Sequence, residues 1–154
     1  MKLFITVAVF LVASSLSFAK GQDSMENARD FQTNFHTGFK LDYVIDGDTI
    51  VADGIKIRLW GIDAPEKNSI YFLPSKMLLE VILTERKLTC KFIEKDRYKR
   101  HVMHCLIDGR DIGSMMVQVG MARDYSKYSG DYYQYEEDLA KSKGLGIWDN
   151  TKQQ

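Results

Sequence analysis

Residues 41–59 read LDYVIDGDTIVADGIKIRL, and this stretch decides the fold. From Leu41 to Ile45 apolar residues alternate with polar ones, which is the period of a half-buried β-strand. Two further apolar runs, 50–52 and 55–59, flank Asp53-Gly54, a dipeptide suited to a two-residue hairpin turn. The stretch therefore predicts three consecutive antiparallel strands.

A helix and two more strands are predicted next. The segment Pro74 to Leu83 has apolar residues at helical spacing, and proline is tolerated in the first turn of a helix. Residues 88–92 and 102–106 then alternate as a fourth and a fifth strand, joined by the charged loop 94–100. The apolar residues that define the predicted helix are Met77, Leu78, Val81 and Ile82.

Two later helices complete the pattern. Asp111 is a suitable N-cap for a helix that runs through Met115, Met116 and Val119 to Gly120. Another runs from Gln134 to Lys143 and ends at Gly144, after which Trp148 can fold back onto the body. Five strands with interspersed helices predict an α+β domain that is mainly β barrel: a five-stranded OB-fold barrel with three helices.

The first 19 residues have the composition of a secretory signal peptide. Lys2 is followed by an apolar run, Leu3 to Leu11, and by small residues that place cleavage near Ala19. A membrane anchor is the alternative, but the apolar run is shorter than the roughly 20 residues that a bilayer requires. We therefore expect a secreted or periplasmic protein with no stable membrane association.

The rest of the chain divides simply. Residues 20–38 are polar without a sustained period and predict a flexible N-terminal segment. Residues 39–150 form the single predicted domain, and 151–154 are a short C-terminal tail. We expect a monomer.

Cys90 and Cys105 lie on the predicted fourth and fifth strands, fifteen residues apart. In an oxidising compartment such a pair favours a disulfide, although two buried reduced thiols fit the same pattern. Metal binding by these two residues is disfavoured, because neither a CxxC spacing nor paired histidines accompany them.

The charge balance limits the kind of partner. Beyond residue 19 the chain carries 20 Lys and Arg against 21 Asp and Glu. Proteins that hold nucleic acid through many phosphate contacts usually have a strong positive excess. A nucleic-acid site in this chain must therefore be a local basic patch.

Three short clusters contain most of the residues suited to chemistry. They are Asp46 to Thr49, Arg58 to Glu66, and Asp96 to Arg100. Taken singly, each has an ordinary structural role as a turn, an acidic strand end and a charged hairpin tip.

Together with Gly120-Met121-Ala122 and Gly146-Ile147-Trp148, these clusters resemble the motifs of the staphylococcal nuclease (thermonuclease) family, in the same order. The resemblance covers about residues 39–150. It implies a nuclease that hydrolyses phosphodiester bonds in DNA or RNA. It also implies Ca²⁺ as the cofactor and a nucleic acid as the binding partner.

The resemblance also implies a role for each residue. The carboxylates of Asp48 and Asp63 and the backbone carbonyl of Ala64 would bind Ca²⁺, and Asp46 would support them from just outside. Glu66 would act as the general base on a water molecule that attacks phosphorus, or would at least orient that water. Arg58 and Arg100 would hold the phosphate from two sides.

Two further features concern the substrate. Tyr125 and Tyr128 stand where the family has tyrosines in the nucleotide pocket, although an aromatic cluster is more often packing than recognition. The usual glycine before the second arginine is Lys99 here, which either changes the backbone that aims Arg100 or adds a phosphate contact.

Two alternative functions compete with that of a nuclease. One is a noncatalytic nucleic-acid or protein-binding module on the same fold, and the other is a secreted structural domain. Neither alternative accounts for the presence of two acids suited to metal binding, a base and two arginines in one chain. The sequence therefore favours the enzyme.

Overall fold

The computed structural model describes residues 35–149 and 151. The expected signal peptide, most of segment 20–38 and the end of the tail lie outside the described residues. Within these residues, five strands form the barrel, and four helices and three very short strands surround it. The long strands are β1 (Phe35–Asp46), β2 (Thr49–Ala52), β3 (Ile55–Leu59), β5 (Lys87–Lys95) and β6 (His101–Ile107); the short ones are β4 (Ile62–Asp63), β7 (Arg110–Asp111) and β8 (Arg123–Asp124). The helices are α1 (Phe72–Leu83), α2 (Ile112–Gln118), α3 (Ser126–Ser129) and α4 (Gln134–Ser142), followed by a 3₁₀ turn (Gly146–Trp148).

The barrel closes through a parallel pairing between β3 and β6. The other neighbours, in the order β3-β2-β1-β5-β6, are antiparallel. The predicted OB-fold barrel of the α+β class is therefore confirmed. The turn that joins β2 to β3 has positive φ at both Asp53 and Gly54 (48° and 72°), as a tight hairpin turn of type I′ requires.

The first strand differs from its predicted pattern. It begins at Phe35, four residues before Phe39, and pairs with β5 before it pairs with β2. Irregular register along β1 shifts its faces, so Val44 is in the core while Tyr43 is 58% exposed. Strict alternation from Leu41 to Ile45 is therefore broken by a bulge.

Helix α1 presents a different face to the core from the one its sequence predicts. The buried residues are Ser75, Leu79, Ile82 and Leu83, while Met77 and Val81 are 60% and 71% exposed. The helix is apolar on almost all sides, so its periodicity does not select one face. Its buried face packs on β1 and α2.

The later helices match the prediction with one addition. The side chain of Asp111 caps α2 by accepting hydrogen bonds from the backbone N–H groups of Gly113 and Ser114. Helix α4 ends next to Gly144, and Trp148 packs under the cationic groups of Arg123 and Lys141. The short helix α3 and the two-stranded sheet of β4 and β8 were not predicted. Among the described residues, no helix combines the length and apolar character needed to cross a membrane.

Cys90 and Cys105 face each other directly across β5 and β6 and form a disulfide inside the barrel. The bridge predicted from the sequence is therefore present. It closes a loop of fifteen residues that contains the segment 96–100.

Replacing both cysteines by alanine is expected to lower the free energy of unfolding by about 3 kcal/mol, because a fifteen-residue loop is then free in the unfolded chain. Urea denaturation of the variant and of the oxidised and reduced parent measures the change. Equal stability of oxidised and reduced parent would contradict the prediction.

Candidate active site

The loop between β1 and β2 holds Asp48 in a buried position. The backbone N–H of Asp48 donates to Asp46 Oδ1 (3.2 Å), which forms the turn. The Asp48 side chain then accepts from Thr49 Oγ1 (3.0 Å) and from the backbone N–H of Ala64 (2.8 Å). Asp48 thereby joins its own loop to the segment that follows β4.

Gly47 allows this loop to lie against α1. A Cβ atom at residue 47 would overlap the hydroxyl of Ser75 and lie 2.7 Å from the Cβ of Ala64. Ser75 is itself fixed, because its hydroxyl donates to the carbonyl of Met121 (2.7 Å). The glycine is therefore required by a close approach between loop and helix.

Arg58 lies at the centre of the acidic groups. Its Nη1 atom is 3.1 Å from Asp48 Oδ2 and donates to the carbonyl of Leu59 (3.2 Å), while its Nη2 atom is 3.6 Å from Asp63 Oδ1. The side chain of Arg58 is only 13% exposed, whereas that of Asp63 is 52% exposed. The guanidinium group thus bridges one buried and one accessible carboxylate.

Arg100 reaches the same place from the loop between β5 and β6. Asp96 organises this loop: its Oδ1 accepts from the backbone N–H groups of Tyr98 and Arg100, and its Oδ2 accepts from Arg100 Nε (2.7 Å). The Arg100 contacts lower the pKa of Asp96 despite partial burial. The Nη1 atom of Arg100 lies 3.5 Å from Thr49 Oγ1, beside Asp48.

Lys99 keeps the backbone conformation that glycine favours. Its φ angle is 62°, and its N–H donates to the carbonyl of Asp96 (2.9 Å). Replacing the usual glycine by lysine therefore leaves a left-handed turn in front of Arg100. The Lys99 side chain is exposed.

The carboxyl group of Asp48 is held in an unfavourable environment. Burial raises its pKa, Arg58 lowers it, and the negative charge of Asp46 raises it again, with a net value of about 7. A nearby cation or an additional hydrogen-bond donor would favour the charged form.

In the absence of divalent metal ions, the free energy of unfolding is expected to fall as pH rises from about 4 to about 7. In this window folded Asp48 retains a proton that the unfolded chain has lost, so rising pH favours unfolding, by up to a few kcal/mol. Urea denaturation in chelator at several pH values measures this slope. Asp48→Asn should flatten it and Asp131→Asn, on an exposed turn, should not; parallel curves for all three proteins would contradict the assignment.

A cavity of about 520 Å³ opens beside the two arginines. Arg58 and Arg100 form part of its wall, and the rings of Tyr125 and Tyr128 form another part, 4.8 Å apart and edge to face. The pairing of β4 with β8 brings these tyrosines here, and the N–H of Tyr125 donates to the carbonyl of Gly61 (2.8 Å). Both tyrosines are exposed at 39% and 51%, so they are not core residues.

Tyr98 also lines the cavity, and the sequence did not predict it there. Its ring lies under the guanidinium groups of Arg97 and Arg100, at 4.8 Å and 5.3 Å. Its place between two arginines in the segment Asp96 to Arg100 was the available signal. The role of Asp96 in holding Arg100 was likewise not predicted.

The structure brings together Asp48, Asp63, Arg58 and Arg100. Glu66 lies two residues beyond Ala64, with an exposed side chain in the turn that leads to α1. Within residues 35–149 and 151, no group of three or more His, Cys, Asp or Glu side chains is close enough to form a complete metal site. Any cation here would rely on few protein ligands.

Comparison with known proteins now identifies the family. Residues 56–150 match the family described as "Staphylococcal nuclease homologue". The chain belongs to this family. The staphylococcal nuclease family predicted from the motifs is thereby confirmed, and the match includes Arg58, Asp63, Glu66 and Arg100.

Curated proteins similar to this chain have varied names. An "Uncharacterized endonuclease" of Haemophilus influenzae is 36% identical over 68% of this chain and 62% of its own length. A "Succinoglycan biosynthesis protein" of Rhizobium meliloti is 33% identical over 68% of this chain and 61% of its own length. A "Thermonuclease" of Staphylococcus hyicus is 27% identical over 96% of both chains. The chain thus spans about three fifths of the length of the first two relatives.

Proposed function

We propose that this protein is a calcium-dependent nuclease that hydrolyses phosphodiester bonds in DNA or RNA. The observation that carries the proposal is the convergence of Arg58 and Arg100 on the buried carboxylate of Asp48 and its neighbour Thr49, next to a cavity lined by tyrosines. Two planar cations match the oxygens of one phosphate, and the aromatic rings match a base.

Ca²⁺ takes oxygen ligands, and the carboxylates of Asp48 and Asp63 supply such oxygens, although in this structure both are paired with the Arg58 guanidinium that lies between them. A Ca²⁺ ion held by both would compete with these contacts; the carbonyl of Ala64 would be a further ligand, and Asp46 adds negative charge. The raised pKa of Asp48 also supports a cation site, because burial destabilises the charged carboxylate and a bound cation would offset that cost. Bound there, the ion would supply a Lewis acid for the phosphate oxygens.

The chain's own residues divide the remaining work. Glu66 is exposed to solvent and takes a proton from the attacking water molecule. At the same time the oxygen of that water forms a bond to phosphorus. Arg58 and Arg100 stabilise the charge that grows on the phosphate oxygens. The P–O bond to the departing nucleoside breaks, and that oxygen takes up a proton from solvent.

The protein is proposed to act outside the cytoplasm. Its support is the leader-like composition of residues 1–19 and a disulfide of a kind that persists in oxidising compartments. N-terminal sequencing of protein recovered from a producing cell tests this, with Lys20 as the expected first residue. Recovery of an intact Met1 in the cytoplasm would contradict export.

The test of activity uses purified protein with single-stranded DNA, duplex DNA and RNA. Cleavage is expected with Ca²⁺ and not with chelator, and Glu66→Gln should reduce the rate by about 10²-fold. Glu85→Gln, in an exposed turn, is the matched control and should retain full activity. Binding of nucleic acid without cleavage in any of these conditions would instead support a noncatalytic binding module on this fold.

A further inference from the structure

A row of aromatic side chains continues from the cavity along the outside of the barrel. Trp60 lines the cavity, and its ring lies 5.4 Å from that of Tyr132 and 5.5 Å from that of His104. The ring of Phe35 lies 5.6 Å from that of His104 on the other side. We call these four residues, Trp60, Tyr132, His104 and Phe35, the aromatic track.

The sheet register places the track on the same face as Arg58. Arg58 pairs with Val102 across β3 and β6, and both line the cavity on the outside of the barrel. Trp60 and His104 follow them by two residues each, so they share this outer face. The track is therefore continuous with the site that holds Arg58.

A cation also belongs to this face. Lys91 pairs with Phe35 on one side and with His104 on the other, so its side chain lies on the same face of the sheet as the two rings. Aromatic rings alternating with a lysine are typical of surfaces that hold bases and phosphates together.

Two members of the track, Tyr132 and Phe35, are exposed, which argues against a purely structural role for these rings, while Trp60 and His104 are partly buried beneath them. Tyr132 is 57% exposed and Phe35 is 41% exposed, whereas the adjacent Tyr133 is fully buried and its hydroxyl donates to Asp111. Tyr133 thus anchors this loop to the barrel. Tyr132 contributes a ring to the surface rather than to the core.

Asp111, an acid beside the track, is already satisfied. It accepts from His104 Nε2 (2.7 Å), from Tyr133 and from the first N–H groups of α2. These donors offset its charge, so a phosphate near Lys91 meets less repulsion than a free carboxylate would cause.

We propose that the aromatic track is an extended subsite for single-stranded nucleic acid. Unpaired bases beyond the nucleotide in the cavity stack on Trp60, Tyr132 and Phe35, and Lys91 contacts the backbone between them. A duplex is disfavoured, because its bases are stacked on one another and are not free to lie on protein rings. This inference rests on the proposed nuclease function.

The experiment measures binding in the Glu66→Gln protein, so that substrate is not consumed. Fluorescence anisotropy gives the Kd of a single-stranded oligomer of about ten nucleotides, of a dinucleotide, and of a duplex with the same sequence. Tyr132→Ala and Phe35→Ala should each raise the oligomer Kd by roughly fivefold to a hundredfold and leave the dinucleotide Kd unchanged. Tyr135→Ala removes a ring that is 77% exposed on α4 and should change neither value.

Two additional variants separate stacking from folding. Tyr132→Phe keeps the ring and should restore the parent affinity, whereas Tyr132→Leu keeps apolar bulk and should not. In Trp148→Phe, Trp60 becomes the only tryptophan, and the oligomer should quench its fluorescence more than the dinucleotide does.

The outcomes distinguish the two proposals. If the parent cleaves nucleic acid but the alanine variants bind oligomer and dinucleotide with unchanged affinities, the extended subsite is wrong and the nuclease stands. Equal affinity for duplex and single strand also overturns the subsite. If no nucleic acid is bound or cleaved at all, the proposed function itself fails.

Discussion

Arg58→Ala is expected to reduce kcat/KM by about 10³-fold or more, because in the proposed mechanism this one side chain would supply two donors to the developing charge on the phosphate. It should also destabilise the protein by about 3 kcal/mol, since it leaves the buried Asp48 without its cationic partner. The stability loss should grow with pH. Without Arg58 the pKa of Asp48 rises further, so ionising it in the folded state costs more.

Steady-state cleavage of single-stranded DNA and urea denaturation at about pH 5 and pH 8 measure these effects. Arg58→Lys keeps the charge but loses the planar fork, so it should recover stability more than activity. Arg86→Ala is the matched control: Arg86 pairs with Asp108 at 3.1 Å on the exposed surface and should contribute at most about 1 kcal/mol. Wild-type activity in Arg58→Ala would show that Arg58 has no role in the reaction and would contradict the proposed site.

The strand that carries Arg58 illustrates which parts of the fold can be predicted from the sequence and which cannot. The three-stranded start was predictable because its signals are local: an Asp53-Gly54 turn between two short apolar runs. The closure of the barrel was predictable only from the overall order of strands and helices, because the pairing of Arg58 with Val102 joins residues more than forty positions apart. No local propensity encodes such a contact.

Several details of the site were beyond sequence reasoning for the same reason. The pairing of Ile62 with Asp124, which places Tyr125 beside the arginines, involves strands of two residues with no detectable period. Helix α1 is apolar on most sides, so its sequence does not show which side is buried; the prediction placed Met77 and Val81 on the core-facing side, but both are exposed. Lys99 shows the opposite case, in which the family pattern correctly marked a position with unusual backbone.

Asp48 illustrates how the site and the fold are coupled. It is buried by contacts with Ala64 and Thr49 that hold two loops together, and the same burial makes its charge unfavourable. A bound cation would relieve that cost, so ligand binding and folding stability are expected to be linked at this residue. A perturbed carboxyl group of this kind is typical of functional sites.

Arg100→Ala is expected to reduce kcat by about 10³-fold, because in the proposed mechanism Arg100 would stabilise the charge on the phosphate. The loss of stability should be about 1 kcal/mol, because the variant removes a partly exposed ion pair with Asp96 that lies outside the core. Most of the loss of activity should appear in kcat, because the negative charge on the phosphate oxygens that the guanidinium would stabilise is largest in the transition state. Arg97→Ala is the matched control in the same loop: it keeps the turn, removes one exposed arginine, and should change the rate by less than about tenfold.

Asp96→Asn separates the position of Arg100 from its presence. The variant replaces the carboxylate, which accepts from Arg100 Nε at 2.7 Å and from two backbone N–H groups of the loop, by a neutral amide with a single acceptor oxygen. The rate should therefore fall to a value between those of the parent and Arg100→Ala. In Arg100→Ala the further change of Asp96 to Asn should have almost no additional effect, because the group that Asp96 positions is already gone. Additive losses in the double variant would mean that Asp96 acts on the reaction independently of Arg100.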